Sequence, residues 1–156
     1  LRGKKVNIDS SSINYVKKRY YQPTPRVNLG QQLFGLANSA IDVSDGLIQD
    51  LKHICNASKV SAFVNINDIP LSKALRPLIK RDSDLIKNAI AGGDDYELLF
   101  TAPPLHHRKI LKLAETLDIP LTTIGQIIPF DKNKTVTLLD KNGVELKLKT
   151  DGFQHF

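Results

Sequence analysis

The chain has 156 residues, of which 41% are hydrophobic and 24% charged, and its net charge is +6. These values favour one globular domain with a substantial core and exclude a disordered chain. No apolar run approaches the ~20 residues of a membrane-spanning helix, and the polar N-terminus lacks the apolar core of a secretory signal. Cys55 is the single cysteine, which excludes a disulfide framework within the chain. We expect a buried thiol and a cytoplasmic location.

The excess of 22 Lys and Arg over 16 Asp and Glu favours anionic partners such as phosphorylated metabolites, nucleotides or nucleic acid. A lysine-rich solubilising surface explains the same excess. Basic and aromatic residues adjoin at residues 17–21, but no DNA- or RNA-binding motif accompanies them, so nucleic acid is not the expected partner. The chain does not begin with Met and contains none, which suggests a fragment of a longer protein.

The first part of the chain carries few structural signals. Residues 1–24 are predicted to be a loosely organised N-terminal segment, with a short helix or an extended stretch near residues 15–21, and one domain is predicted at residues 25–156. Thr24 and Pro25 form a helix start signal, which predicts a helix to about residue 38.

The remaining elements follow from hydrophobic periodicity. Strands are predicted at residues 39–43, 60–66, 96–102 and 121–127, and helices at residues 47–58, 71–79, 84–91 and 104–118. Asn142 and Gly143 lie between two apolar runs and predict a β-hairpin. Because strands and helices interleave, we expect an α+β fold: a mixed four-stranded sheet with covering helices, partly ferredoxin-like, plus a C-terminal hairpin.

Acidic residues follow the first predicted strand. Asp42, Ser44 and Asp45 lie at its carboxyl end, and Gly46 precedes the next helix. Ligands of open α/β sheets bind at this edge, and Mg²⁺ prefers oxygen ligands such as carboxylates. Ser44 and the helix N-terminus favour a phosphate, although Ser44 or Asp45 as a simple helix cap explains those two residues equally well. Asp42 follows an apolar strand, and a buried carboxylate needs a partner.

A second acidic cluster, Gly92-Gly93-Asp94-Asp95, precedes the third predicted strand. If that strand runs antiparallel to the first, both clusters lie at one edge of the sheet. A glycine turn with solvated acids is the alternative interpretation. Two such clusters in one domain favour a cation-dependent site. No P-loop, zinc-ligand cluster or Gly-x-Ser-x-Gly element is present.

Four motifs occur in a characteristic order: residues 19–26 (RYYQPTPR), 40–47 (AIDVSDGL), 92–101 (GGDDYELLFT) and 152–156 (GFQHF). With them the chain resembles the thiamine-monophosphate kinase family over about residues 19–156. The Asp-x-Ser-Asp-Gly element by itself indicates only the wider superfamily related to aminoimidazole-ribonucleotide (AIR) synthetase.

The resemblance implies a fold like that of the C-terminal domain of AIR synthase, and it also implies the reaction that the family catalyses. The family phosphorylates thiamine monophosphate with ATP to give thiamine diphosphate, depends on Mg²⁺ and forms homodimers. By resemblance, Asp42 and Asp45 would bind Mg²⁺ and Ser44 would contact ATP. Asp94, where the family often has Glu, would contact the thiamine substrate, and Phe153 would pack on it. No catalytic base is expected, because the accepting phosphate is already ionised.

The resemblance covers only the C-terminal half of the family. The missing N-terminal domain is therefore an expected partner, and we expect the chain alone to be inactive. Two alternatives remain: a non-catalytic module that binds a phosphorylated ligand, and another ATP-dependent enzyme of the AIR synthase-related superfamily.

Overall fold

Two β-sheets organise residues 8–146, which are the residues that the computed structural model describes. The first sheet pairs β1 (Ser39–Asp42) antiparallel with β3 (Leu98–Thr101). The second contains, in order across the sheet, β4 (Gly125–Pro129), β2 (Val60–Asn65), β5 (Val136–Leu139) and β6 (Glu145–Leu146). Strand β2 is antiparallel to β4 and parallel to β5, so this sheet is mixed.

The helices of the described range pack around these sheets. They are α1 (Ser10–Tyr21), α2 (Val27–Gln32), α3 (Leu47–Ser58), α4 (Arg76–Arg81), α5 (Leu85–Ala91) and α6 (His107–Leu117), with 3₁₀ turns at Ile66–Asp68 and Pro104–His106. The predicted mixed four-stranded sheet with covering helices is confirmed. The predicted hairpin is formed by β5 and β6, and it supplies two of the four strands, because β5 also pairs with β2.

The main core lies between α3 and the four-stranded sheet. Helix α3 buries apolar residues spaced three and four apart, as its sequence predicted, and they pack against apolar residues of β2 and β5. The buried members on α3 are Ile48, Leu51, Ile54 and Cys55. Burial of each such Ile or Leu contributes about 1.5–3 kcal/mol to folding. Burial also raises the pKa of the Cys55 thiol, which suits a structural rather than a reactive role.

Several predicted boundaries shift for identifiable reasons. The helix predicted to reach residue 38 ends at Gln32, and Gly35 adopts a φ of +74° in the turn towards β1. The helix predicted from residue 71 begins at Arg76, because Pro77 has no N–H group and fits only in a first helical turn. The N-terminal segment contains α1, which begins after Asp9 as its N-cap but buries no residue. None of the helices within residues 8–146 combines the length and apolar character needed to span a bilayer.

Candidate functional site

Two acid-rich loops lie in contact at one end of the two-stranded sheet. The first loop (residues 43–46) follows β1, and the second loop (residues 92–97) precedes β3. The backbone N–H of Asp94 donates to the carbonyl oxygen of Ser44 at 2.9 Å, and that of Tyr96 donates to the carbonyl of Val43 at 2.8 Å. Because β1 and β3 are antiparallel, both acidic clusters lie at the same edge of this sheet, as the sequence predicted.

Glycine is required where the loops meet. A Cβ atom on Gly93 would lie 2.2 Å from the carbonyl oxygen of Ser44, far inside van der Waals contact. Gly46 has a φ of +123°, and a Cβ atom there would lie 2.9 Å from the carbonyl oxygen of Ala91. Both positions therefore depend on the absence of a side chain.

A buried carboxylate beneath the first loop holds its backbone. Asp50, on the first turn of α3, is only 2% exposed. Its Oδ2 atom accepts hydrogen bonds from the backbone N–H groups of Ser44, Asp45 and Gly46 at 3.0, 3.1 and 3.3 Å. Hydrogen bonds to a charged acceptor typically contribute about 1.5–3 kcal/mol each. Sequence reasoning missed this residue, although its place on the same helix face as Leu51 and Ile54 signalled burial.

Asp42 is exposed, so the prediction of a buried carboxylate that needs a partner is wrong. Asp42 ends β1, on the same face of the two-stranded sheet as its partner Leu98 and as Phe100. Those two residues pack in a second core with apolar residues of α2 and α6, but Asp42 at the end of the strand is exposed. It borders a surface pocket of about 250 Å³. The pocket is lined by Pro23, Pro25, Arg26, Asp42, Tyr96, Glu97 and Leu98. An exposed carboxylate at a pocket is accessible to a cation without any rearrangement of the protein.

Asp45 lies on the side of the first loop that adjoins α3. Ligand atoms of Asp45, Asp50 and His53 lie within 4.8 Å of one another, and Gln49 Nε2 donates to Asp45 Oδ2 at 3.5 Å. The carboxylate oxygens of Asp42 and Asp45 are donors that fit Mg²⁺. The exposed His53 offers nitrogen, which suits transition metals better than Mg²⁺.

Asp94 is held by the tyrosine two residues later. The hydroxyl of Tyr96 donates to Asp94 Oδ1 at 3.0 Å, and both residues adopt positive φ angles, +67° and +50°. This hydrogen bond is the largest cause of the raised pKa of Tyr96, and the negative charge of Asp94 is the second. Positive φ angles do not fit a β-strand, and β3 accordingly begins at Leu98, two residues later than predicted.

The pKa of Asp95 is raised from its ordinary value of 3.8 to about 6. Although the residue as a whole is exposed, partial desolvation of its carboxyl group among neighbouring atoms is the largest cause. Repulsion by Glu97 and Asp94 adds to it, while Arg19 acts in the opposite direction. Carboxylates are thus crowded in the second loop.

Glu97 joins the second loop to the N-terminal part of the chain. Arg26 binds both oxygens of Glu97 at 2.8 Å, and Arg19 binds Oε1 at 2.5 Å and the carbonyl oxygen of Asp95 at 3.3 Å. The Glu97 carboxylate raises the pKa of Arg26. Sequence analysis used residues 19–26 only as a motif and did not predict this ion-pair cluster.

The structure thus connects some predicted site residues directly and others through neighbours. Ser44 and Asp94 are joined by a backbone hydrogen bond, and Asp42 shares a pocket with Tyr96, the partner of Asp94. Asp45 is directed towards Asp50 and His53. Phe153 lies outside the described residues.

Comparison with known proteins gives a consistent set of relatives, although no family model matches the chain. A thiamine-monophosphate kinase from Haemophilus influenzae is 43% identical over 124 residues, which cover 79% of this chain and 37% of that protein. The crystal structure of thiamine-monophosphate kinase from Stenotrophomonas maltophilia K279a has a TM-score of 0.76 and 43% identity, over 85% of this chain and 41% of that one. AaThiL complexed with AMPPCP and TMP has a TM-score of 0.71 and 26% identity, over 98% and 44% of the two chains.

The mixed sheet, its covering helices and the similarity to these structures define an α+β domain of the AIR synthase-related class. Over the residues that align, the chain belongs to the thiamine-monophosphate kinase family. It spans less than half the length of the relatives described above.

The contact between the loops predicts a large cost for a methyl group at position 93. The Gly93→Ala variant should lose about 1–3 kcal/mol of unfolding free energy in urea titrations, because its Cβ atom collides with the Ser44 carbonyl oxygen. Gly30→Ala is the matched control: its Cβ atom meets nothing within 4 Å, and alanine favours α2. Equal stability of the Gly93→Ala variant and the unsubstituted chain would contradict the described contact.

The raised pKa of Asp95 predicts that Asp95→Asn increases the free energy of unfolding in a pH-dependent way. The folded chain holds this proton more tightly than the unfolded chain, so the free energy of unfolding falls as pH rises from about 4 to about 6. Thermal unfolding should show the variant more stable than the parent above pH 6 and equal to it below pH 4. Glu115→Gln, an exposed acid on α6, should show no such difference. A gain in stability that does not depend on pH would contradict the raised pKa of Asp95.

The Glu97 cluster predicts that α1 depends on this carboxylate for its attachment. Since α1 buries no residue, Glu97→Gln should speed amide hydrogen exchange in residues 10–21 severalfold while the core amides of α3 keep their protection. The control is again Glu115→Gln. Unchanged exchange in α1 would show that other contacts hold it.

Proposed function

We propose that the chain is part of an enzyme that transfers a phosphoryl group from ATP to thiamine monophosphate and forms thiamine diphosphate. The observation that carries this proposal is the backbone contact between the two acidic loops, in which Asp94 donates to Ser44. A related structure holds AMPPCP and TMP, and the relative from H. influenzae is a thiamine-monophosphate kinase.

Each loop has its own role in this proposal. Asp42 and Asp45 bind Mg²⁺, and Ser44 contacts ATP. Asp94 contacts the thiamine substrate, and Phe153 packs on it. Bound Mg²⁺ supplies neutralisation of phosphate charge, which is the main chemical requirement of phosphoryl transfer.

The residues of the chain position the reactants. The hydrogen bond from Tyr96 fixes the direction of the Asp94 carboxylate, which is one methylene shorter than the Glu common at this position in the family. The acceptor is a phosphate oxygen that carries negative charge at neutral pH, so no side chain needs to remove a proton. This fits a site built from carboxylates without a catalytic histidine.

The whole enzyme needs more than this chain. Because the chain spans less than half of its relatives, we propose that it acts with the remaining part of a longer protein, to which residues 1–24 lead, in a cytoplasmic homodimer. The competing proposal, favoured by the same short span, is a module that binds a phosphorylated ligand without catalysis.

Complementation distinguishes the two proposals. The chain is mixed with the part of the H. influenzae relative that it does not cover, and thiamine diphosphate is measured after addition of ATP, Mg²⁺ and thiamine monophosphate. The kinase proposal predicts turnover in the mixture and none with the chain alone. Binding of thiamine monophosphate without turnover in the mixture would instead identify a binding module.

Asp42 supplies the sharpest test of the metal assignment in the complemented enzyme. Asp42→Asn should lower kcat about 100-fold, as expected for loss of an electrostatic contact to the transferring phosphate. It should leave the thermal unfolding temperature nearly unchanged, because the side chain is exposed. Glu115→Gln serves as the control. Normal kcat in the Asp42→Asn enzyme would remove Asp42 from the site.

A further inference from the structure

We propose that Asp50 is a positioning residue that fills the anion-binding backbone of the first loop, so that the site accepts polyphosphate only together with a cation. The proposal deepens the function proposed above, because it rests on polyphosphate binding beside Ser44 and Asp45.

The geometry of the first loop is that of an anion site already filled from within. Successive backbone N–H groups that converge on one point form a concave site for a phosphate or carboxylate oxygen. Here the N–H groups of Ser44, Asp45 and Gly46 converge on Asp50 Oδ2 at 3.0–3.3 Å. Because the Asp50 side chain is only 2% exposed, an incoming phosphate cannot replace it without opening the start of α3.

The surrounding charges oppose a metal-free polyphosphate. Asp45, Asp94 and Asp95 lie on the two loops, Asp42 ends β1 next to the first loop, and Asp50 lies beneath that loop. The two arginines near the second loop both bind Glu97, so that carboxylate offsets one of their two positive charges and a single one remains against the five aspartates. Although the whole chain carries a net charge of +6, this edge is therefore negative. A polyphosphate anion is repelled there unless cations accompany it.

Asp50 also acts on the cation through Asp45. Its carboxylate and that of Asp45 have ligand atoms within 4.8 Å, so the charge of Asp50 strengthens the attraction for a divalent ion at Asp45. At the same time its hydrogen bonds to the Asp45 and Gly46 amides fix the backbone from which the Asp45 side chain projects. Asp50 thus positions a metal ligand without itself contacting the substrate.

The loop amides provide a direct test in ¹⁵N-labelled chain. The amide protons of residues 44–46 should exchange slowly, and their resonances should not move when millimolar pyrophosphate is added in EDTA. In Asp50→Ala the same amide protons should exchange faster, because the three N–H groups lose their common acceptor. Glu115→Ala, which removes an exposed helical acid, should behave like the unsubstituted chain.

A response of residues 44–46 to metal-free pyrophosphate in the unsubstituted chain would overturn the proposal, and so would unchanged exchange of these amides in a folded Asp50→Ala variant. If Asp50→Ala does not fold, Asp50→Asn decides, since its amide oxygen still accepts the loop hydrogen bonds. Mg²⁺ affinity measured by calorimetry should then fall about tenfold while the amides of residues 44–46 stay protected. An unchanged Mg²⁺ affinity, or fast exchange of these amides in the unsubstituted chain, would overturn the proposal.

These measurements are independent of phosphoryl transfer. If the amides are protected and respond as expected while the complemented enzyme shows no turnover, the proposed kinase activity fails and the role of Asp50 stands. If turnover is normal and the amides of the unsubstituted chain bind metal-free pyrophosphate, the role of Asp50 fails and the kinase stands.

Discussion

The backbone contact between the two loops is the constraint on which the site depends. Three hydrogen bonds connect Val43 and Ser44 with Asp94, Tyr96 and Glu97, and they continue the pairing of β1 with β3 beyond the sheet. This contact is possible only because Gly93 has no side chain. Acidic residues that are about fifty positions apart in sequence are thereby placed side by side, against their mutual repulsion.

Two further interactions support this contact from opposite sides. Beneath the first loop, Asp50 accepts three backbone hydrogen bonds and ties the loop to α3, whose apolar face is part of the main core. Beside the second loop, Glu97 forms ion pairs with two arginines from the N-terminal part of the chain. Two positive charges of the chain are therefore engaged with a carboxylate at this edge, where Asp42, Asp45 and Asp94 also lie. Such an arrangement suits a metal-complexed phosphate better than a free anion.

Much of this could be predicted from sequence, where the signal is local. The apolar spacing of α3, the hairpin at Asn142 and Gly143, and the two acidic clusters are patterns of adjacent residues. Long-range pairing was not encoded in such patterns: β5 joins β2 in parallel, and the ion pairs to Glu97 link residues more than seventy positions apart. Asp42 was wrongly predicted to be buried because it ends β1: both faces of the two-stranded sheet carry packed apolar residues, but the side chain at the strand end is exposed. The carboxylate that is buried is Asp50: its position on the apolar face of α3 signalled burial, but acids are common in a first helical turn, and the residue was passed over.

The central claim is that both loops face one metal-bound polyphosphate. Paramagnetic relaxation tests it most directly: Mn²⁺ replaces Mg²⁺ in the ¹⁵N-labelled chain in the presence of AMPPCP, and the broadening of each amide resonance is recorded. The account predicts strong broadening in residues 42–46 and in residues 92–97 together, with little effect on the distant strand β6. Broadening confined to one loop, or centred elsewhere in the chain, would contradict it.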